Sequence, residues 1–169
     1  MTELDAATAP YALSKDEGRG TWALGGLFTW KAEGRQTQNE AEIVEIRGRR
    51  GVGSPIHTHR RQIECFYILE GELTYLLGEK EVRMAAGAFV LVPAQTRHAL
   101  VVESEEARFL SFVFPAGLAK FFDEVGRPAE AATLPPLNLP MPDPAVLGAA
   151  AEHSDQTILG PPLRPRGPL

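Results

Sequence analysis

The sequence predicts an all-β domain, a sandwich or barrel of short strands, with short helices confined to its C-terminal part. Three observations point there. Apolar runs of strand length recur between Thr21 and Phe114, and each is stopped by glycine, proline or a polar turn. Several of these runs alternate with period two, as half-buried strands do. Helical spacing appears only after Pro115. At 169 residues the chain is long enough for one domain with a genuine core.

Residues 1–20 are polar and contain glycine, and read as an N-terminal arm. The barrel is expected over residues 21–115. Leu24–Trp30 is apolar and aromatic. Glu40–Arg47 alternates, with Val44 and Ile46 on one face and Ile43 and Glu45 on the other. Glu64–Glu70 and Leu73–Leu77 flank Gly71-Glu72, a hairpin-like break. Glu81–Met84 leads into the turn Ala86-Gly87. Phe89–Val92 stops at Pro93, and His98–Val102 and Arg108–Phe114 complete the series. Residues 116–169 read as a helical, Pro-rich extension packed on the barrel. Leu118, Phe121, Phe122 and Val125 fall on one side of a helix over Leu118–Val125. A proline-dense linker follows. Asp143-Pro144 starts a second helix over Pro144–Glu152, and the tail from Gly160 to Leu169 is expected to be loose.

Composition narrows the function classes. The formal net charge is -5 and no basic stripe dominates, so neither nucleic acid nor an anionic membrane is expected as a partner. The arginines at 47, 49, 50, 60 and 61 read as a solvated loop rather than a phosphate site. The single cysteine, Cys65, allows no internal disulfide and suits a reducing cytoplasm. It alternates with Glu64 and reads as packing rather than as a nucleophile. No signal-peptide pattern and no apolar span of bilayer length are visible. Gly48 to Gly53 lie between strands, which argues for a turn and against a phosphate loop. Trp22, Phe28 and Trp30 read as core or interface, and His153 as a surface helix residue.

The chemistry-bearing pattern is Gly51-Val52-Gly53-Ser54-Pro55-Ile56-His57-Thr58-His59, followed by Glu64 and Gly71. In an extended strand His57 and His59 point to the same face. Imidazole with carboxylate suits a borderline divalent metal such as Zn, Fe, Co, Ni or Cu. His98 stands in a later strand-like run. Three of the four histidines thus belong to one constellation.

The spacing Gly51-x5-His57-x-His59-x4-Glu64-x6-Gly71 is similar to the first motif of the cupin family, with every fixed position filled. Gly87-x5-Pro93 and then His98 resemble the second motif in part. Gln95 stands where a glycine is usual and implies an altered turn before His98. Val102 stands where an asparagine is common, and removes no ligand. The resemblance implies a double-stranded β-helix, a jelly-roll barrel, in which His57, His59, Glu64 and His98 hold one divalent transition metal: Fe, Mn, Co, Ni or Zn. With Glu64 inward, Phe66 and Ile68 face inward; with His98 inward, Leu100 and Val102 do. The substrate pocket is expected among Phe66, Ile68, Leu100, Phe112 and Phe114. Cys65, Tyr67 and Leu69 on the opposite face are too apolar for open solvent, which suggests cover by the arm, the second sheet or a partner subunit. A homodimer is the expectation.

Within the cupins, LFTWKAEG, CFYILEGELTYLLG and FFDEVGRPAE, with weaker support from DQTILGPP, resemble the small single-domain quercetinase-like group. That resemblance implies a metal-dependent dioxygenase acting on a flavonol or a related phenolic or enol compound. Glu64 would take the substrate proton, and O2 would add across the activated ring with loss of carbon monoxide. The residues alone leave Glu64 open as ligand, base or both. Two other functions are compatible with the fold: a non-oxidative metal enzyme such as a polyketide cyclase or isomerase, and a small-molecule-binding module without turnover.

Overall fold

The structure is a computed structural model and describes residues 9–166. The N-terminal end of the expected arm, residues 1–8, and the last three residues lie outside it. Tyr11 ties the following segment down by donating its hydroxyl proton to the Lys31 carbonyl (2.6 Å).

The chain first forms a hairpin, β1 (Arg19–Ala23) and β2 (Gly26–Ala32). One strand over Leu24–Trp30 was expected. Leu24 and Gly25 instead have φ of 50° and 80° and close a two-residue turn. Leucine carries no signal for positive φ, and the turn signal here is the adjoining Gly25-Gly26 pair. Strand β3 (Glu42–Arg49) and β4 (Pro55–His59) follow, then β5 (Ile63–Glu70), β6 (Glu72–Leu77) and β7 (Lys80–Ala85). The short β8 (Phe89–Val92), β9 (His98–Val102) and β10 (Glu106–Phe114) complete the run of expected strands.

After β10 come α1 (Leu118–Val125), the two-residue β11 (Arg127–Pro128), α2 (Pro144–His153) and β12 (Gln156–Pro162). The strands form a seven-stranded sheet, β11-β1-β2-β3-β10-β5-β8, and a five-stranded sheet, β12-β4-β9-β6-β7. Every pairing is antiparallel. Alternate side chains from both sheets meet in one core that includes Val44, Phe66, Ile68, Leu73, Val102 and Phe109. This is the jelly-roll arrangement expected of a double-stranded β-helix.

The extension does more than pack on the barrel, because it completes both sheets. β11 pairs with β1, and β12 pairs with β4. The tail from Gly160 was expected to be loose, since Pro161 and Pro162 cannot donate to a ladder. They are tolerated because β12 is an edge strand, and its register shifts between Ile158, Gly160 and Pro162. Helix α1 buries the four predicted residues, and Phe122 packs on Phe28 with ring centroids 4.1 Å apart. Its first turn is held by Glu42, whose carboxylate accepts from the Ala119 N–H at 3.0 Å. Helix α2 is capped by Asp143, which accepts from the Ala145 N–H at 2.7 Å.

The motif glycine Gly71 has φ of 82°, and a Cβ there would lie 2.4 Å from the Glu106 carbonyl oxygen. Only glycine fits this β5–β6 turn. The arginine cluster is taken up structurally. Arg60 and Arg61 pair with Asp155, Arg47 with Glu106, and Arg49 donates to the Pro135 carbonyl. Arg50 donates to the Glu103 and Arg166 carbonyls. On the outer face of β10-β5-β8, Tyr67, Phe89, Leu91 and Phe114 are exposed. No described element covers that face. No helix among the described residues is long and apolar enough to cross a membrane.

Candidate metal centre

Strand β4 lies between β12 and β9, and presents His57 and His59 on one face. His57 stands directly across from His98 on β9. Glu64 reaches the same point from β5 of the facing sheet. All four side chains are buried, and one donor atom from each lies within 4.8 Å of the others.

The hydrogen bonds decide which atoms face the centre. The Nδ1–H of His57 donates to the Pro55 carbonyl, and that of His98 to the Thr96 carbonyl, each at 2.8 Å. A carbonyl only accepts, so both rings carry a proton on Nδ1 and turn Nε2 toward the centre. His59 Nε2 lies 3.4 Å from Glu64 Oε2 without completing a hydrogen bond, and neither of its ring nitrogens has a partner among the described residues. Glu64 Oε1 accepts from the Ser111 hydroxyl at 2.7 Å, and Oε2 lies 3.3 Å from His98 Nε2.

The electrostatics follow from burial and proximity. Burial lowers the His57 pKa most, and His98 and His59 lower it further, to about 3. Burial would raise that of the Glu64 carboxyl, but the His59 and His98 imidazoles outweigh it and hold it well below the usual range. Three imidazoles and a carboxylate, buried and converging on one point, are a donor set that suits a cation. Unpartnered buried ring nitrogens on His59 fit the same conclusion. Three imidazole nitrogens and one carboxylate oxygen suit a divalent first-row metal, and the absence of thiolate argues against a closed structural zinc site.

An apolar cavity opens on this centre, with about 80 Å³ open to the centre of a water molecule. His57, Glu64 and His98 form its polar end. His59 instead faces a polar recess lined by Thr58, Arg60, Gln95 and Glu152. Of the five residues expected around a substrate, Phe66 and Leu100 are on the cavity wall. Ile68 is fully buried in the core but does not reach the wall.

Phe112 and Phe114 point the other way. Phe112 pairs with Cys65 across β10 and β5, so both lie on the outer face, and Phe114 is 41% exposed. The inward set of β10 is Phe109, Ser111 and Val113. Both faces of this strand are apolar in sequence, and the lone Ser111 favoured the wrong one. Its hydroxyl is inward because it holds Glu64. Sequence reasoning also missed Tyr75, and the cover that α1 and β12 provide through Leu118, Phe121, Phe122 and Ile158. Phe28 is at once core and wall.

Gln95 departs from expectation in an instructive way. Its φ is 64°, the left-handed region that a glycine would occupy, and its N–H donates to the His59 carbonyl at 2.7 Å. The turn is kept and the strain accepted. Cys65 is half-buried on the outer face, and burial, with Glu64 nearby, pushes its thiol up. His153 ends α2 and pairs with Glu124 at 3.0 Å on the surface.

Comparison with known proteins agrees with this geometry. Residues 48–114 match the cupin domain family. The chain is 29% identical over 127 residues, 75% of its length, to a quercetin 2,3-dioxygenase of Bacillus subtilis (strain 168), and spans 38% of that protein's length. Among solved structures it resembles an RmlC-like cupin from Shewanella frigidimarina (TM-score 0.57, 18% identity, 65% of this chain and 95% of that one). It also resembles a predicted oxalate decarboxylase from Thermotoga maritima (TM-score 0.57, 18% identity, 62% and 99%). The two-sheet barrel and the motif residues thus stand together in a chain whose residues 48–114 match the cupin domain family and whose sequence is similar to that of a quercetin 2,3-dioxygenase.

Proposed function

We propose that this protein is a metal-dependent dioxygenase that cleaves a flavonol or a related planar phenol with O2. One observation carries the reading. A buried set of three imidazoles and one carboxylate lies at the end of a largely apolar and aromatic cavity, which His57, Glu64 and His98 line. Sequence similarity to a quercetin 2,3-dioxygenase supports the choice of reaction.

His57, His59, Glu64 and His98 would hold the ion. When bound, it supplies Lewis acidity toward a substrate oxygen and the means to pair that substrate with O2. The chain's own part is binding, orientation and exclusion of water. Phe28, Phe66, Phe109 and Phe122 offer faces and edges to a flat ring and leave little room for solvent. Inward cations suited to a phosphorylated sugar are missing from the described wall. Ser111 occupies Oε1 of Glu64, so Oε2 is the oxygen turned to the centre. A phenolic proton arriving there would meet Oε2. The balanced reaction consumes one O2 per flavonol and releases one carbon monoxide with the opened ester.

The test is O2 consumption with quercetin by metal-free protein reloaded separately with Fe(II), Mn(II), Co(II), Ni(II) and Zn(II). Uptake is expected with at least one redox-active ion. His59→Ala should abolish it together with metal retention, by more than about 100-fold. No uptake with any ion in protein shown to be loaded would overturn dioxygenation and leave a non-oxidative cupin. Full metal occupancy in His59→Ala would overturn the ligand assignment.

A further inference from the structure

Among the described residues the cavity wall carries three polar side chains outside the metal centre, and two of them, Ser54 and Gln156, have hydrogen-bond partners. The third, Tyr75 on β6, is only 1% exposed, and its hydroxyl has no hydrogen-bond partner among the described residues. A buried hydroxyl without a partner is costly, and native chains carry few of them. The same strand could have held phenylalanine at no such cost, since the ring already packs on Phe66 with centroids 5.2 Å apart.

The position of Tyr75 is fixed by register. It stands across from Leu100, while the metal-ligand candidate His98 stands across from Leu77. Tyr75 is therefore two residues along the strand from the level of the centre, about 7 Å at the rise of an antiparallel strand. Its wall neighbours Phe66, Leu100 and Phe109 are apolar. Burial, and after it the charge of Glu64, keeps the phenol protonated by raising its pKa further. The hydroxyl is thus a buried donor, on a residue of the cavity wall, with no acceptor among the described residues.

We propose that Tyr75 orients the substrate, donating its hydroxyl proton to an oxygen of a planar oxygenated aromatic whose other end lies against Glu64 and His98. The inference rests on the dioxygenase reading for its ligand class, and adds a second fixed point beyond the metal. Two anchors on one cavity would select a flat molecule with oxygens at two positions, and would disfavour the same molecule lacking the distal oxygen.

The test uses zinc-loaded full-length protein, in which quercetin can bind without O2 chemistry. Calorimetric affinity for quercetin and thermal midpoint are measured for the wild type and for Tyr75→Phe. Tyr75→Phe should bind quercetin about 3- to 10-fold more weakly, the effect of one neutral hydrogen bond. Its thermal midpoint without ligand should be unchanged or higher, because an unpartnered hydroxyl has been removed. Equal affinity in the two proteins overturns the role of Tyr75 and leaves the dioxygenase reading intact. A lower midpoint with equal affinity assigns the hydroxyl to an internal structural role. Failure of the wild type to bind quercetin overturns both.

Discussion

The segment that matches the cupin family and the C-terminal extension divide the site between them. Residues 48–114 supply all four candidate ligands, held by strands that pair at close register. Residues after Pro115 supply no candidate ligand. They supply cover: Leu118, Phe121 and Phe122 from α1, and Gln156 and Ile158 from β12. The difference separates two kinds of requirement. A metal needs particular atoms at particular distances, so its motif is written in residue types and spacing. A cavity wall needs only apolar volume, which many sequences provide.

Phe122→Ala should break the cover while sparing the centre. The side chain is buried against Phe28 and Trp30, with ring centroids 4.1 and 5.9 Å away. Truncating a buried phenylalanine costs about 3–5 kcal/mol. Denaturant unfolding should show that loss, with metal stoichiometry unchanged. Loss of metal as well would mean that the extension positions the ligands, and the division would fail.

Acid should do the reverse, striking the centre first. The His57 pKa is about 3 in the folded chain against an ordinary 6.5. Between those values the unfolded chain takes up a proton that the native one refuses. Stability of the metal-free protein therefore falls as pH drops below 6.5, by about 1.4 kcal/mol per unit, or about 2 kcal/mol by pH 5. The Glu64 shift is also downward, so its contribution is present above 4.5 and is lost only as pH falls further. Denaturant unfolding of the metal-free protein at pH 7 and pH 5 measures the first effect, and His57→Gln should flatten it. A profile already flat in the wild type would mean that His57 accepts a proton in place.

The same division explains what the sequence made legible. The four candidate ligands, and eight of the twelve strands among the described residues, follow from spacing and alternation, because burial on one face forces period two. The β1–β2 hairpin was missed because Leu24 carries no signal for its positive φ, although the adjoining Gly25-Gly26 pair marks the turn. β12 was hidden because its prolines read as loop and are tolerated only at an edge. The facing of β10 was misread because Phe112 and Phe114 are bulkier than Ser111, and volume decided less than the bond to Glu64.

Gln95 puts the smallest effect at the sharpest point of the comparison, where the segment that matches the cupin family departs from the family pattern. A non-glycine residue in the left-handed region costs about 1–2 kcal/mol. Glycine there would relieve this but add about 0.5–1 kcal/mol of backbone entropy to lose on folding. The Gln95 N–H bond to the His59 carbonyl is a backbone contact and survives the change. Gln95→Gly should therefore shift stability by about 1 kcal/mol or less, in the stabilising direction, and leave metal affinity alone. A larger loss of stability, or weaker metal binding, would show that the side chain acts on the polar recess beside His59, and that this departure serves the centre rather than merely being borne by it.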